Sequence, residues 1–251
     1  MTRWTATIRV GIAMGLSLGV NACGGGAPLM HPAHPLAEGE VTVGAGFSGR
    51  VAVAPSALSP EDTRDRALEE GAVAPGLAPW VGGRVGIGSD WEGGVTYTGR
   101  SARADIRHAF VFDDIALSVG LGASGLLPKR DDDLRLRVGG FGGDVPVLFG
   151  WRSDADLYSL WIGPRGGAEY LNGQQEVGTD PLDPDQFLLD DVSGWHAYAG
   201  GVFGMRIGFR YVFATLEVDG AMHWAGGSIG DEDVSVSQFA IEPGGAIVVK
   251  F

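Results

Sequence analysis

The sequence predicts an all-β fold, an antiparallel up-and-down barrel of ten strands, with eight strands as the alternative. Three observations support this prediction. Apolar residues recur at every second position, as in strands that have one apolar and one polar face. Long connections alternate with short turns along the chain. Aromatic residues on the apolar faces gather near both ends of the predicted strands.

The individual strands follow from this period of two and from the turn residues between them. They cover residues 40–53, 80–88, 91–98, 101–112, 115–127, a sixth strand that ends at 151, and then 157–171, 195–209, 211–225 and 235–251. The apolar residues change from odd to even positions at Gly99 and Arg100. A hairpin there explains this change more simply than a single strand whose apolar side chains switch from one face to the other. That hairpin decides between ten strands and eight.

The connections differ in length at the two ends of the predicted barrel. Those at one end are residues 55–79, 99–100, 128–133, 172–194 and 226–233, and most of them are long. The connections at the other end, near Asp90, Asp113, Asp154 and Arg210, are all short. Long loops at one end and tight turns at the other are typical of transmembrane β-barrels.

The apolar-face aromatics form two bands when each is placed by the direction of its strand. The long-loop end holds Tyr97, Tyr170, Trp195, Trp224 and Phe239. The short-turn end holds Phe110, Phe112, Phe149, Trp151, Tyr158, Phe209 and Phe251. Two such bands mark the two interfaces of a membrane, so the apolar face is predicted to point to lipid.

The last predicted strand, residues 235–251, alternates clearly from Phe239 onward and ends on the aromatic Phe251. In this the chain resembles Gram-negative outer-membrane β-barrel proteins, whose final strand ends in Phe as an assembly signal. The resemblance covers nearly all of the mature chain. It implies the bacterial outer membrane as the location, with membrane lipid and the barrel assembly machinery as partners.

The first 22 residues are predicted to be a signal peptide, with Arg3 and Arg9 before an apolar stretch at 10–20. The following Val-Asn-Ala-Cys, residues 20–23, resembles a bacterial lipobox, which predicts lipidation of Cys23. Ordinary cleavage after Ala22 is the alternative and gives the same mature start. Residues 23–38 show no periodicity and are predicted to be a flexible tether, and residues 39–251 the barrel.

The polar face of the predicted strands carries a balanced set of charges, which a confined lumen must pair because burying an unpaired charge is costly. The predicted lumen network is Arg84, Arg103, Asp105, Arg107, Arg165, Glu169, Arg206, Glu217, Asp219 and Glu242. A ten-stranded barrel filled in this way is predicted to be closed, or to hold only a narrow water-filled passage, rather than to form an open pore. His108 does not fit this pattern, because its position in the alternation places this polar residue on the lipid face.

The net charge of −13 makes nucleic acid an unfavourable partner, and much of the excess lies in the predicted loops. Asp180, Asp183 and Asp185 could bind Ca²⁺ through their oxygens. Solvated acids on a loop are the favoured interpretation, because no complete EF-hand pattern is present. No metal and no cofactor is therefore predicted.

His196, Tyr198 and His223 share one lumen wall by parity and are candidates for a site near the outer mouth. A catalytic role is the alternative, because some outer-membrane hydrolases have a histidine at the lip of the barrel. No contiguous motif of those families is present. The favoured interpretation is that the two histidines are structural, hydrogen-bonded residues. The predicted role is structural or surface-interaction and not enzymatic; the alternatives are a narrow porin-like channel and a surface hydrolase.

Overall fold

A computed structural model describes residues 25–53, 75–127, 137–180 and 183–251, with the backbone alone for 177–180 and 183–187. It confirms the predicted ten-stranded antiparallel barrel. The strands are β1 Val41–Val53, β2 Gly76–Gly88, β3 Trp91–Thr98, β4 Ser101–Phe112, β5 Ile115–Leu126, β6 Arg137–Arg152, β7 Tyr158–Asp180, β8 Asp183–Phe209, β9 Val212–Ile229 and β10 Glu232–Lys250. Each pairs with its neighbours in sequence, and β1 closes the ring against β10. Among the described residues, no helix is long and apolar enough to cross a membrane.

The two ends of the barrel are named here by their connections. At the turn end, strands are joined by tight turns such as that at Ser89 and Asp90, whose φ angles of 51° and 61° suit a two-residue hairpin. At the loop end, the described strands break off at three places, and the residues between them, 54–74, 128–136 and 181–182, are outside the described residues. Gly99 and Arg100 also lie at the loop end, and they form the short turn between β3 and β4 that fixes the strand number at ten.

The prediction of loops at 172–194 and 226–233 was wrong. Most of these residues are in strands, and they lengthen β7, β8, β9 and β10 beyond the loop-end aromatics. An apolar cluster of inward side chains fills the base of this extension. Leu171, Val192 and Ile229, each at most 2% exposed, pack with Leu126 and Ala225. Burial of this cluster stabilises the extended β7–β8 and β9–β10 hairpins. Their outer side carries acidic residues, which do not predict a strand.

The outer face of the barrel is apolar along most strands, as predicted. All the aromatics assigned to the two bands are exposed on this face, from Trp224 at 39% to Phe251 at 72%. His108 lies among them at the turn end, with ring centroids 4.9 Å from both Trp91 and Phe110 in edge-to-face contacts. An aromatic band at the rim of the barrel accommodates an imidazole, because its polar edge can stay near water. This position accounts for the parity of His108.

Candidate functional site in the barrel lumen

Buried charged side chains line the barrel interior and form one continuous ladder of ion pairs. In order, the ladder runs through Arg107, Glu92, Arg84, Asp105, Arg103, Asp144, Arg165 and Asp219. Its nitrogen–oxygen distances lie between 2.7 and 3.3 Å, apart from the closer Arg84–Glu92 pair. Since several of its charges have two partners, the ladder offsets the cost of removing them from water.

The other residues assigned to the lumen network have separate partners. Glu242 accepts from Arg50 Nε at 2.6 Å. Arg206 pairs at 2.7 Å with Asp156, which lies in the turn between β6 and β7 and was not predicted to belong to the network. Glu217 is 1% exposed and has no arginine partner among the described residues. Its carboxylate is used in a different way, by the segment that precedes β1.

Residues 25–38, here called the N-terminal segment, lie inside the barrel. The Glu217 carboxylate accepts hydrogen bonds from the backbone N–H groups of Leu29 and Met30, the latter at 3.0 Å. The indole N–H of Trp161 donates to the same carboxylate, also at 3.0 Å. Leu29 and Met30 are only 2% and 4% exposed. One carboxylate therefore holds the middle of the segment to the barrel wall.

Further polar contacts hold the segment on either side of Glu217. Towards the loop end, Arg165 Nη1 donates to the Ala27 carbonyl at 2.6 Å. Towards the turn end, Arg107 donates to the carbonyls of Pro32 and His34, and the Leu36 N–H donates to Glu92. The segment thus crosses the lumen from the loop side to the turn side before β1 begins at Val41.

Apolar packing reinforces these hydrogen bonds. Leu29 and Ala33 pack with a wall cluster that includes Trp161, while Met30 packs with another cluster that includes Phe213. Gly244 leaves room for the segment, because an added Cβ would overlap the methyl group of Met30. Gly150 likewise leaves room for the segment, because an added Cβ would be 2.8 Å from the Cβ of Ala33.

The prediction of a flexible tether therefore differs from the structure over its described part, residues 25–38. The sequence shows no periodicity there because the segment forms no strand or helix. Its backbone groups are instead satisfied by Glu92, Arg107, Arg165 and Glu217, which are far away in sequence. The local sequence gives no sign of partners at that distance. Cys23 lies outside the described residues.

The N-terminal segment separates two small chambers. The loop-side chamber, of about 50 Å³, is bordered by Ala27 of the segment and by wall residues that include Arg50 and Tyr198. The turn-side chamber, of about 40 Å³, is bordered by His31 and His34 of the segment. A buried water needs about 10–15 Å³ when volume is measured in this way, so each chamber has room for only a few waters.

His196 and His223 lie beside the loop-side chamber, and their rings share a hydrogen bond of 3.0 Å. His196 Nδ1 is 2.9 Å from Glu169, and His223 Nε2 is 3.5 Å from Glu242. The Tyr198 ring stacks on both imidazoles, with centroids 5.7 Å away. The structure brings the three candidate residues together. Among the described residues, neither histidine is hydrogen-bonded to a hydroxyl that could act as a nucleophile.

The acidic residues weighed as a calcium site cannot be placed, because the side chains of Asp180, Asp183 and Asp185 lie outside the described residues. Within the described ranges, no cluster of three His, Cys, Asp or Glu side chains is arranged to hold a metal ion.

The comparisons with known proteins give structural likenesses alone. No family model matches this chain, and no curated protein matches it. It is similar to Neisserial surface protein A, with 10% identity over 84% of this chain and 96% of that one and a TM-score of 0.31. It is also similar to Ail, the attachment invasion locus protein of Yersinia pestis, with 13% identity over 85% and 99% of the two chains and a TM-score of 0.26. CymD, a monoaromatic hydrocarbon channel, gives 10% identity over 86% and 89% and a TM-score of 0.28. At these TM-scores the likenesses carry no argument about function.

Proposed function

We propose that this protein is an outer-membrane β-barrel whose lumen is closed by its own N-terminal segment and whose role is structural or interactive at the cell surface. The observation that carries the proposal is the position of residues 25–38 across the lumen, held by Glu217 at the centre. Because Leu29 and Met30 are 2% and 4% exposed and hydrogen-bonded to the wall between the two chambers, we expect no continuous water path past the segment. This favours a closed barrel over the narrow porin-like channel.

The membrane location is supported by the distribution of apolar and charged side chains. The outer face exposes large apolar residues such as Phe47, Val95 and Leu216, at 59%, 64% and 57%, whereas the charged ladder points inward. A barrel in water would expose its charges and bury its apolar face. Aromatic bands at both ends of the apolar surface fit the two interfaces of a bilayer.

The surface role is supported by the height of the wall at β7 to β10. β8 has 27 residues and β3 has 8, so one side of the barrel extends much further at the loop end. The extension is closed by its own apolar cluster and carries Asp231, Glu232 and Asp233 near its tip. A rigid hairpin pair is better suited to present a binding surface than a long irregular loop, because less conformational entropy is lost on binding.

Single-channel recording tests whether the lumen is closed. Purified, refolded protein is reconstituted in planar bilayers, and folding is checked by the heat-modifiable gel shift of a barrel. We expect no stable current steps, because the N-terminal segment interrupts the water path. Stable steps from the folded wild-type protein would contradict the proposal and would support the channel alternative.

We also propose that the chain is exported, cut before Cys23 and lipidated there. The run Val-Asn-Ala-Cys at residues 20–23 supports this proposal, because it resembles a bacterial lipobox.

Labelling of cells with an alkyne fatty acid tests the lipidation. We expect the wild-type protein to carry the label and Cys23→Ser to lose it entirely. A wild-type protein without label, whose N-terminus is Cys23 by mass spectrometry, would show ordinary signal-peptide cleavage instead.

A further inference from the structure

The turn-side chamber has a surplus of positive charge. Its border holds five cationic side chains and three carboxylates: Arg84, Arg107, Arg152, Arg206, Lys250, Glu40, Glu92 and Asp156. Asp156 is 2.7 Å from Arg206 and 3.2 Å from Lys250, and Lys250 is also 3.8 Å from Glu40. Among the residues that the structure describes, no carboxylate is paired with Arg152. The charges that balance over the whole lumen are therefore unbalanced here.

The same chamber is bordered by buried polar groups that lack hydrogen-bond partners. His34 is 2% exposed, and neither of its ring nitrogens makes a hydrogen bond of ordinary geometry among the described residues, although the Asp114 backbone lies nearby. Arg206 Nε, Arg107 Nε and Arg84 Nη2 are also buried without a partner there. Leaving a buried donor unsatisfied costs about 1–3 kcal/mol, and several in one place indicate a missing acceptor.

We propose that the turn-side chamber binds a small free oxyanion of the phosphate class. Its oxygens would accept from Arg206 Nε and Arg107 Nε, which have no acceptor within the described part of the chain, and from the His34 ring. Charge-assisted bonds of arginine to phosphate are among the stronger hydrogen bonds in proteins. The chamber of about 40 Å³ suits an anion of a few heavy atoms and excludes a nucleotide or sugar.

The surroundings of the chamber favour a free anion over a lipid headgroup. The wall around it is continuous, because β1 pairs with both β2 and β10 from Thr42 onward, so a lipid in the bilayer has no lateral path inward. On the loop side, the segment blocks the lumen at Leu29 and Met30. The anion would therefore come from the aqueous side at the turn end.

Isothermal titration of the refolded full-length barrel in an uncharged detergent tests this proposal. Sodium phosphate is the titrant, and sodium chloride at equal ionic strength is the reference. We expect saturable phosphate binding that Arg152→Gln and Arg206→Gln each weaken at least about tenfold, because each removes a donor or cation from the chamber. Arg152→Gln breaks no ion pair in the described chain, so it reports on binding even if Arg206→Gln impairs folding.

Arg210→Gln is the matched control, because Arg210 lies at the same end but is exposed in the turn between β8 and β9, stacked on Phe209. It should bind phosphate as the wild type does. The proposal is overturned if the wild-type protein binds no phosphate, if all three variants bind equally, or if only a soluble short-chain phosphatidic acid binds. The site rests on the proposed closure of the lumen by the N-terminal segment but not on the surface role, and current recording tests the closure separately.

Discussion

Replacing Glu217 with alanine is expected to free the N-terminal segment from the lumen and to lower the free energy of unfolding by about 3–5 kcal/mol. The carboxylate accepts from Leu29, Met30 and Trp161 at a site that is 1% exposed. Its removal leaves three buried N–H donors without an acceptor, and no other carboxylate contacts these donors within the described residues. The segment loses its central attachment while the barrel strands remain paired.

Hydrogen exchange followed by mass spectrometry gives the direct measurement for this variant. Amides of residues 25–38 should be protected in the wild-type protein and should exchange at least about tenfold faster in Glu217→Ala, because their opening is no longer opposed by the lost hydrogen bonds. In planar bilayers the same variant should give current steps where the wild type gives none.

Two further variants separate the role of the carboxylate from general effects. Glu217→Gln keeps the side-chain shape but presents an amide N–H₂ where a donor already points, so its effect should be intermediate. Asp154→Asn removes a carboxylate from an exposed turn and should change neither exchange nor current. If Glu217→Ala keeps the segment protected and the bilayer silent, Glu217 does not hold the closed state.

The barrel could be predicted from sequence because its signals are local. Alternation along one strand, turn residues such as Ser89 and Asp90, and the parity change at Gly99 each lie within a few residues of the feature that they specify. Parity also placed the ladder residues and the two histidines on the inner face, since a period of two assigns every side chain to one side.

The N-terminal segment could not be predicted because its partners lie far away along the chain. Glu217 is 188 residues from Leu29, and Arg165 is 138 residues from Ala27. Inside the segment, three prolines and two histidines are typical of a solvated linker. Nothing in the local sequence distinguishes such a linker from a segment that is buried in the lumen. The wall glycines were the available signal, because Gly244 and Gly150 leave space for Met30 and Ala33.

The extended hairpins were missed for a different reason. A predicted strand is recognised by one apolar and one polar face, and residues 172–194 carry six acids that suggest a loop. The inward positions Leu171 and Val192 are widely separated in sequence and meet only when β7 pairs with β8. Pairing with a long partner strand, rather than local propensity, extends these strands.

An arginine at the centre of the outer face is expected to be the most damaging single change on the barrel surface. Val218 is 45% exposed on β9, about midway between the turn at Tyr211 and the loop-end aromatic Trp224. Its neighbours across the strand pairs are Phe203 and Pro243, so the site has no carboxylate beside it. Val218→Arg should lower the free energy of unfolding in lipid vesicles by about 2–4 kcal/mol, because the charge must lie in hydrocarbon.

Tyr211→Arg is the control that makes this measurement specific to membrane depth. Tyr211 is 63% exposed at the turn end, and its side chain lies at the expected interface. There an arginine costs about 0–1 kcal/mol. Both variants are unfolded reversibly with urea in the same vesicles, and the fraction folded is read from the heat-modifiable gel shift. A large loss for Val218→Arg with little for Tyr211→Arg requires an apolar medium at the middle of the barrel and an aqueous one at its rim. Equal small losses would mean that the apolar outer face is not in a bilayer, and the membrane proposal would then fail even though the ten-stranded ring remains.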